Sequence, residues 1–342
     1  LTGPIGYYVH HHGDGHRRRA IRIASQDPGR FVLIGTGLAG RAQGLTVIDL
    51  PDDRASEGFD GRDGSASRPR SLHYAPLHHA GVRRRAAMIA DWIARAAPAL
   101  MVVDVSVEIA MLSRLCATPT VCVRLGGVRN DPAHLEAFRG ATALLSPWHM
   151  DLDSPETPDW VRQKTRYVAG LTASPATDAP RPDTVLVIRG GGGGQGHGEA
   201  LAMAARSTPD LAWRAMGPFS PPADPPANLA VLGWVEDTQA EIAAAGVVVG
   251  SAGDGVVSAV LAAGRPFVVL PEPRPFDEQG SKAARLDELG AAVGLDRWPA
   301  PDAWPAILAR ARALRRQDQT RLHDPGGPAR AAAILSQIAD DA

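Results

Sequence analysis

An apolar strand that runs into a glycine-rich turn and then a helix occurs twice in this chain, at matching places in its two halves. In the first half Ile5 to His10 leads to Gly13-Asp14-Gly15-His16; in the second, Thr184 to Ile188 leads through a glycine run to Gln195-Gly196-His197. A strand feeding a helix through a tight turn is the opening unit of a parallel sheet covered by helices. The same alternation continues around both units. Strands are expected at Phe31–Ile34, Leu45–Leu50, Leu100–Val105, Thr120–Leu125 and Ala141–Leu145, with helices over 80–96, 107–116 and 132–139. After the small, proline-rich stretch from Ala173 to Asp183 the pattern restarts. Strands at 211–215, 229–232, 246–250 and 267–270 then alternate with helices at 237–245, 255–263 and 279–289, and helices at 302–315 and 327–340 close the chain. The polar segment from Pro51 to Arg70 has no period and reads as a long surface loop.

The expected architecture is therefore α/β, with two Rossmann-like doubly wound domains facing across a cleft. The boundaries are 1–172, a linker over 173–183, 184–325, and a last helix within 326–342. In facing domains of this kind both glycine turns lie at carboxyl sheet edges, where ligands bind. Each half of a 342-residue chain is long enough to bury its own core.

Composition narrows the function. With 36 Lys+Arg against 37 Asp+Glu the net charge is -1, which gives no general attraction to nucleic acid. Aromatics make up 5% of the residues, too few for a broad base-stacking surface. Cys116 and Cys122, the chain's 2 cysteines, form no CxxC pair and read as buried thiols of a reducing compartment. No apolar run is long enough to span a membrane, and residues 1–15 lack the order of a signal peptide. The expected location is cytoplasmic, with peripheral contact to a membrane left open.

Several groups could carry chemistry. The run Gly192-Gly193-Gly194-Gln195-Gly196 lets a ligand approach the backbone closely and opens a helix whose free N–H groups attract anions. Gly253-Asp254-Gly255 repeats this after another strand, and two such turns on one edge suit a diphosphate. Asp277-Glu278-Gln279 brings two carboxylates and an amide to a helix start, groups able to hold sugar hydroxyls or simply to cap the helix. His16, at the mouth of the first strand, could take a proton from an attacking hydroxyl. Asp104 ends an apolar strand, where a carboxylate needs a partner; it could orient His16 or cap the next helix. His10-His11-His12 lacks a completing Cys or Glu, so no metal site is expected. Asp151-Leu152-Asp153 reads as loop carboxylates, and Arg17-Arg18-Arg19 and Arg83-Arg84-Arg85 as solvated helix faces.

These segments resemble the two-domain GT-B glycosyltransferases, in particular the MurG-like UDP-sugar transferases. Gly192 to Gly196 resembles their Gly-Gly-Ser-Gln-Gly turn. Gly233-Trp234-Val235 resembles the segment that meets the nucleotide base, so Trp234 and Val235 are implied base contacts. Gly250 to Pro266 resembles their donor helix, followed by Asp-x-Gln-like Asp277-Glu278-Gln279 and the Gly290-Ala291-Ala292 ending. Gly13-Asp14-Gly15-His16-x-x-Arg19 resembles their glycine–histidine loop, which maps His16 to the base and Asp104 to its partner. The last helix would cross back onto the first domain. One departure is plain: where that family carries Thr-x-x-Glu for the ribose, this chain has Val256 and Ala259.

The resemblance implies an inverting, metal-independent hexosyl- or N-acetylhexosaminyl-transferase. Its donor would be a nucleotide diphosphate sugar, UDP-linked, and its acceptor an unidentified hydroxyl on a small or lipid-linked molecule. No cofactor beyond the donor is required, and neither nucleic acid nor an integral membrane segment is involved. Two alternatives stand beside it: a nucleotide-sugar hydrolase on the same fold, and a non-catalytic nucleotide-sugar binder.

Overall fold

The computed structural model describes residues 3–11, 14–54, 68–171, 179–190 and 196–342. Most of the 51–70 loop, most of the linker, and Gly192, Gly193, Gly194 and Gln195 of the glycine run lie outside these residues. In the first half the strands are β1 (Ile5–Val9), β2 (Phe31–Gly35), β3 (Thr46–Asp49), β4 (Leu100–Asp104), β5 (Thr120–Val123), β6 (Ala143–Ser146) and β7 (Thr165–Tyr167). The helices among them are α1 (Asp14–Ala24), α2 (Ala80–Ala96), α3 (Val107–Leu115), α4 (Pro132–Gly140) and α5 (Asp159–Lys164). The second half has β8 (Arg181–Ile188), β9 (Ala212–Met216), β10 (Leu229–Gly233), β11 (Ala245–Gly250), β12 (Phe267–Val269) and β13 (Val293–Gly294). Its helices are α6 (Gly198–Arg206), α7 (Thr238–Ala244), α8 (Asp254–Ala263), α9 (Glu278–Glu288), α10 (Trp304–Arg312), α11 (Arg316–Thr320) and α12 (Gly327–Asp341).

Two sheets result, ordered β3-β2-β1-β4-β5-β6-β7 and β10-β9-β8-β11-β12-β13, and the pairings are parallel. In each sheet the order reverses direction next to the first strand, which opens a crevice beyond the ends of β1 and β4 and of β8 and β11. The central strands β1, β4 and β11 are mostly apolar and buried because helices cover both faces. Along β4, Leu100 and Val102 join one core cluster while Met101 and Val103 join the other. Along β8, Val185 and Val187 face one way and Leu186 and Ile188 the opposite way. That is the two-residue side-chain period of a strand.

The differences from the expected elements are local. Strand β8 starts three residues earlier, at Arg181, and its first residues are exposed. Strands β7 and β13, of 3 and 2 residues, carry no readable period, so sequence patterning missed both. The helix expected over 302–315 ends at Arg312, and a separate short helix follows.

The chain closes on the first sheet. Ala331, Leu335 and Ala339 of α12 are buried in the cluster that holds β1 and α1, while Leu322, just before, lies in the core of the second sheet. Leu335 is fully buried. Replacing it with Ala should cost about 2–4 kcal/mol of stability, read as a lower urea midpoint; an unchanged midpoint would show that α12 adds nothing to that core.

Candidate active site

Helix α1 begins where β1 ends, and its inward stripe carries His16, Arg19, Ala20 and Ile23. Residues three or four apart on a helix share a face, so His16 and Arg19 point the same way. Asp104, the last residue of β4, neighbours β1 in the sheet and meets both. Its Oδ1 lies 3.1 Å from His16 Nδ1, and Arg19 Nη2 donates to its two oxygens at 2.7 and 2.8 Å. Arg19 Nη2 is also 3.0 Å from His16 Nδ1. Nδ1 can accept from Nη2 or donate to Asp104, and in the tautomer suited to taking a proton it donates to the carboxylate. That leaves Nε2 with the lone pair.

Arg18 is exposed, whereas Arg19 is 2% exposed and Asp104 0%, so Arg19 turns inward from the arginine run and is not part of a solvated face as expected. Arg85 is likewise buried and pairs with Asp53 at 3.2 Å, because it shares the inward stripe of α2 with Ile89 and Ile93. Burial alone would raise the Asp104 pKa. The charges and hydrogen bonds of Arg19 and His16 together outweigh it and hold the carboxyl well below the usual carboxylate range. Immediately after Asp104 the chain turns sharply. Val105 has φ 73, and Ser106 N–H donates to the Asp104 carbonyl at 2.9 Å. This is a γ-turn in the strained left-handed sense, unusual for a β-branched residue. It frees Ser106 to cap α3, where its hydroxyl accepts from Ile109 N–H.

Across the cleft, Gly253 is the N-cap of α8, and Gly255 lies in its first turn. A cleft of about 240 Å³ is lined by Trp234, Val235, Gln239, Gly255, Val256 and Ala259, with Asp14 and Arg18 from the first half. The expected base-contact residues and one turn of the expected diphosphate seat therefore share a wall, and the two residues replacing Thr-x-x-Glu form its apolar part. Gly196, the described end of the glycine run, pairs as an isolated bridge with Phe219.

Other expected ligands are occupied differently. The Asp254 carboxylate ion-pairs with Lys282 and lies 3.8 Å from Arg19 Nη1. What it can offer a diphosphate is its backbone N–H. Glu278 pairs with Arg129 of the first half at 3.1 Å. Gln279 Oε1 accepts from Glu272 N–H at 2.8 Å, and its amide faces Gly253. Asp277 packs against the first turn of α9, at Gly280. Sequence reasoning missed Lys282, whose buried ammonium also lies 5.3 Å from the Trp148 ring.

The Asp151 and Asp153 carboxylates are both held by arginines: Asp153 by Arg124 at 2.9 Å and Asp151 by Arg321 at 2.6 Å. Of the two cysteines, Cys122 is buried, and burial pushes its thiol up to about 12. Cys116 is only partly buried, because it sits at the exposed C-terminal end of α3.

His73, Asp131 and His134 converge closely enough for a metal. Asp131 is 2.7 Å from His73 Nε2 and 2.5 Å from His134 Nδ1. Arg129 Nη1 lies 3.3 Å from His134 Nε2, so Nε2 accepts and the proton sits on Nδ1 towards Asp131. A metal-bound imidazole has the reverse need, donating through its free nitrogen; a hydrogen-bonded cluster fits better. Burial first, with Arg129 beside it, brings the His134 pKa from 6.5 to about 4. The folded pKa is depressed, so this contribution to stability is complete above pH 6.5 and lost as pH falls towards 4. Between pH 7 and 5, urea denaturation of the His134→Gln variant should show a loss smaller than wild type by on the order of 1–2 kcal/mol. Equal losses would mean that His134 is not held neutral.

No protein-family model matches this chain. A UDP-N-acetylglucosamine–N-acetylmuramyl-(pentapeptide) pyrophosphoryl-undecaprenol N-acetylglucosamine transferase from Methylobacterium radiotolerans is 38% identical over 77 residues, 22% of this chain and 20% of that protein. The match thus spans about a fifth of the curated relative's length. Among solved structures, Arabidopsis thaliana UGT89C1 complexed with UDP-L-rhamnose superposes with a TM-score of 0.71 at 14% identity, covering 99% of this chain and 100% of that one. Acinetobacter baumannii MurG does so with a TM-score of 0.66 at 15% identity, covering 98% and 100%. The calicheamicin glycosyltransferase CalG4 gives 0.65 at 18% identity, covering 99% and 98%. Two parallel sheets, the crevice between their carboxyl edges and these full-length superpositions establish that the chain has the GT-B fold, the fold of MurG and of these glycosyltransferases.

Proposed function

We propose that this protein is an inverting glycosyltransferase that needs no metal, with a UDP-linked sugar as donor and a hydroxyl compound as acceptor. The observation that carries the proposal is the His16–Asp104 dyad at the carboxyl edge of one sheet, opposite the N-terminus of α8 on the other. His16 Nε2 takes the proton from the acceptor hydroxyl as its oxygen attacks the anomeric carbon. The bond to the diphosphate breaks on the opposite face of the sugar, which inverts the configuration. Asp104 holds the imidazole through Nδ1 and offsets the imidazolium charge. N–H groups at the start of α8, with those expected from Gly192 to Gly196, receive the charge on the leaving diphosphate.

Trp234 and Val235 are assigned to the base, and Gly253, Gly255 and the backbone of Asp254 to the diphosphate. Gln279 is assigned to the sugar, with Asp277 beside it; Glu278 is a weaker candidate because its carboxylate already pairs with Arg129. Thr238 and Gln239 are the polar groups nearest the apolar wall where the ribose would lie. The domain boundary near residues 173–183 and a cytoplasmic location with peripheral membrane contact belong to the same proposal. Among the described residues no helix is long and apolar enough to cross a membrane.

His16→Ala should abolish turnover while leaving UDP affinity within about threefold, read by calorimetry beside product analysis. Unchanged turnover removes His16 from the mechanism, and stoichiometric free sugar from the donor alone favours hydrolysis. UDP at about a hundred times its Kd should stabilise the protein by about 2.7 kcal/mol. A panel of nucleotides and nucleotide sugars without any thermal shift overturns the donor site.

A further inference from the structure

An unbroken row of alternating charges crosses the domain junction. Lys282 and Asp254, from the starts of α9 and α8, form an ion pair in the second half. Asp254 Oδ2 lies 3.8 Å from Arg19 Nη1, and Arg19 reaches Asp104 and His16 through Nη2. Lys282, Arg19 and Asp104 are each at most 2% exposed. Burying charges singly is costly, whereas a row of neighbours offsets the desolvation of each member. Arg19 therefore uses one end of its guanidinium on the dyad and turns the other towards the opposite domain.

We propose that Asp254 and Lys282 are positioning residues for the base: by holding the free end of Arg19, they make the orientation of the His16–Asp104 dyad depend on contact between the two domains. This rests on His16 being the base. When the domains meet, Asp254 restrains rotation of the guanidinium, and Nη2 stays bidentate on Asp104. When they part, water solvates Nη1, the guanidinium is free to turn, and the carboxylate that orients His16 loses its fixed partner. The base is then fully assembled only beside a closed donor domain, which confines proton removal to the state where a donor is at hand. The Asp254 side chain thereby reaches the dyad through Arg19, and Lys282 reaches it through Asp254, while the Asp254 backbone keeps its place at the diphosphate. Other groups facing this row are Arg129, whose charge acts on Asp254, the Trp148 ring under Lys282, His10, whose ring is 5.4 Å from that of His16, and Tyr7 beside Arg19.

The test is nitrogen-15 NMR of the full-length chain, with the His16 ring signals assigned from His16→Gln. Long-range proton–nitrogen correlations distinguish a ring fixed with its proton on Nδ1 from one averaging between tautomers. Wild type and Lys282→Arg should show the fixed pattern; Asp254→Asn and Lys282→Met should show averaging. The charge swap D254K/K282D restores the pair but sets a cation against Arg19, so it should also average. A pair that only stabilises the second half would be rescued by the swap, and that result overturns the proposal. So does a fixed pattern in both single variants. If a single variant leaves an unpaired charge and fails to fold, D254N/K282M removes both and should average as well. Where turnover is measured, Asp254→Asn should lower kcat about tenfold or more with donor KM changed less than about threefold. The NMR signature needs no turnover, so an active His16→Ala enzyme, which removes the base reading, is a separate outcome.

Discussion

A carboxylate with no exposed surface, Asp104, sets the terms for the first domain. Without water its charge must be met by the protein, and Arg19 meets both oxygens from one guanidinium nitrogen. That pairing fixes the rotation of α1 about its axis, because Arg19 must face the end of β4. His16, one turn earlier on the same stripe, then has a single place to go. The strained turn at Val105 belongs to the same constraint. It ends the strand at Asp104 and lets Ser106 start α3 at once, so the carboxylate stays at the sheet edge and does not run on into a helix. Loss of Arg19 alone would leave the charge buried and unpaired, a larger cost than loss of the pair together.

How much of this was legible follows from which forces act locally. Parallel strands covered on both faces are apolar at every position, so β1, β4, β8 and β11 stood out directly. His16 and Asp104 were legible because a polar group at the end of an apolar strand is conspicuous. Arg19 was not, since Arg17-Arg18-Arg19 is a charge run and only the helix register decides which member turns inward. Arg85 was hidden in the same way. The partners of Asp254 and Glu278, Lys282 on α9 and Arg129 across the junction, follow from tertiary packing that no local pattern encodes. Strands β7 and β13 exist because a neighbouring edge pairs with them, and three or two residues carry no period of their own.

Under the proposed function, the second domain presents an anion site within a nearly neutral protein. Its means are local: glycines at strand ends and N–H groups at the start of α8, with Arg18 and Arg189 beside Asp14 on the lining. The nucleotide cleft is apolar where Val256 and Ala259 stand. Apolar contact there favours a flat base and a sugar face over a bare ion, and gives weaker discrimination than a buried hydrogen-bond partner would. Specificity for the nucleotide then depends on the few polar groups around that wall, Thr238 and Gln239 foremost.

The junction between the domains has two unlike parts, and the difference bears on how the cleft can work. Trp148 and Leu152 of the first half pack among Leu261 and Leu322 of the second, an apolar contact close to where the chain crosses back. Towards the cleft, the contacts include Arg129 with Glu278, Asp254 with Arg19, Arg129 over the Phe276 ring at 4.6 Å, and Val128 N–H donating to the Phe276 carbonyl at 2.7 Å. Parting the apolar contact exposes surface that water does not compensate. Parting the charged contacts returns ions to water, which replaces most of what they lose. An opening that pivots on Trp148 and Leu152 and separates the charged side is therefore the least costly way to admit a donor. It is also the opening that releases Arg19 first.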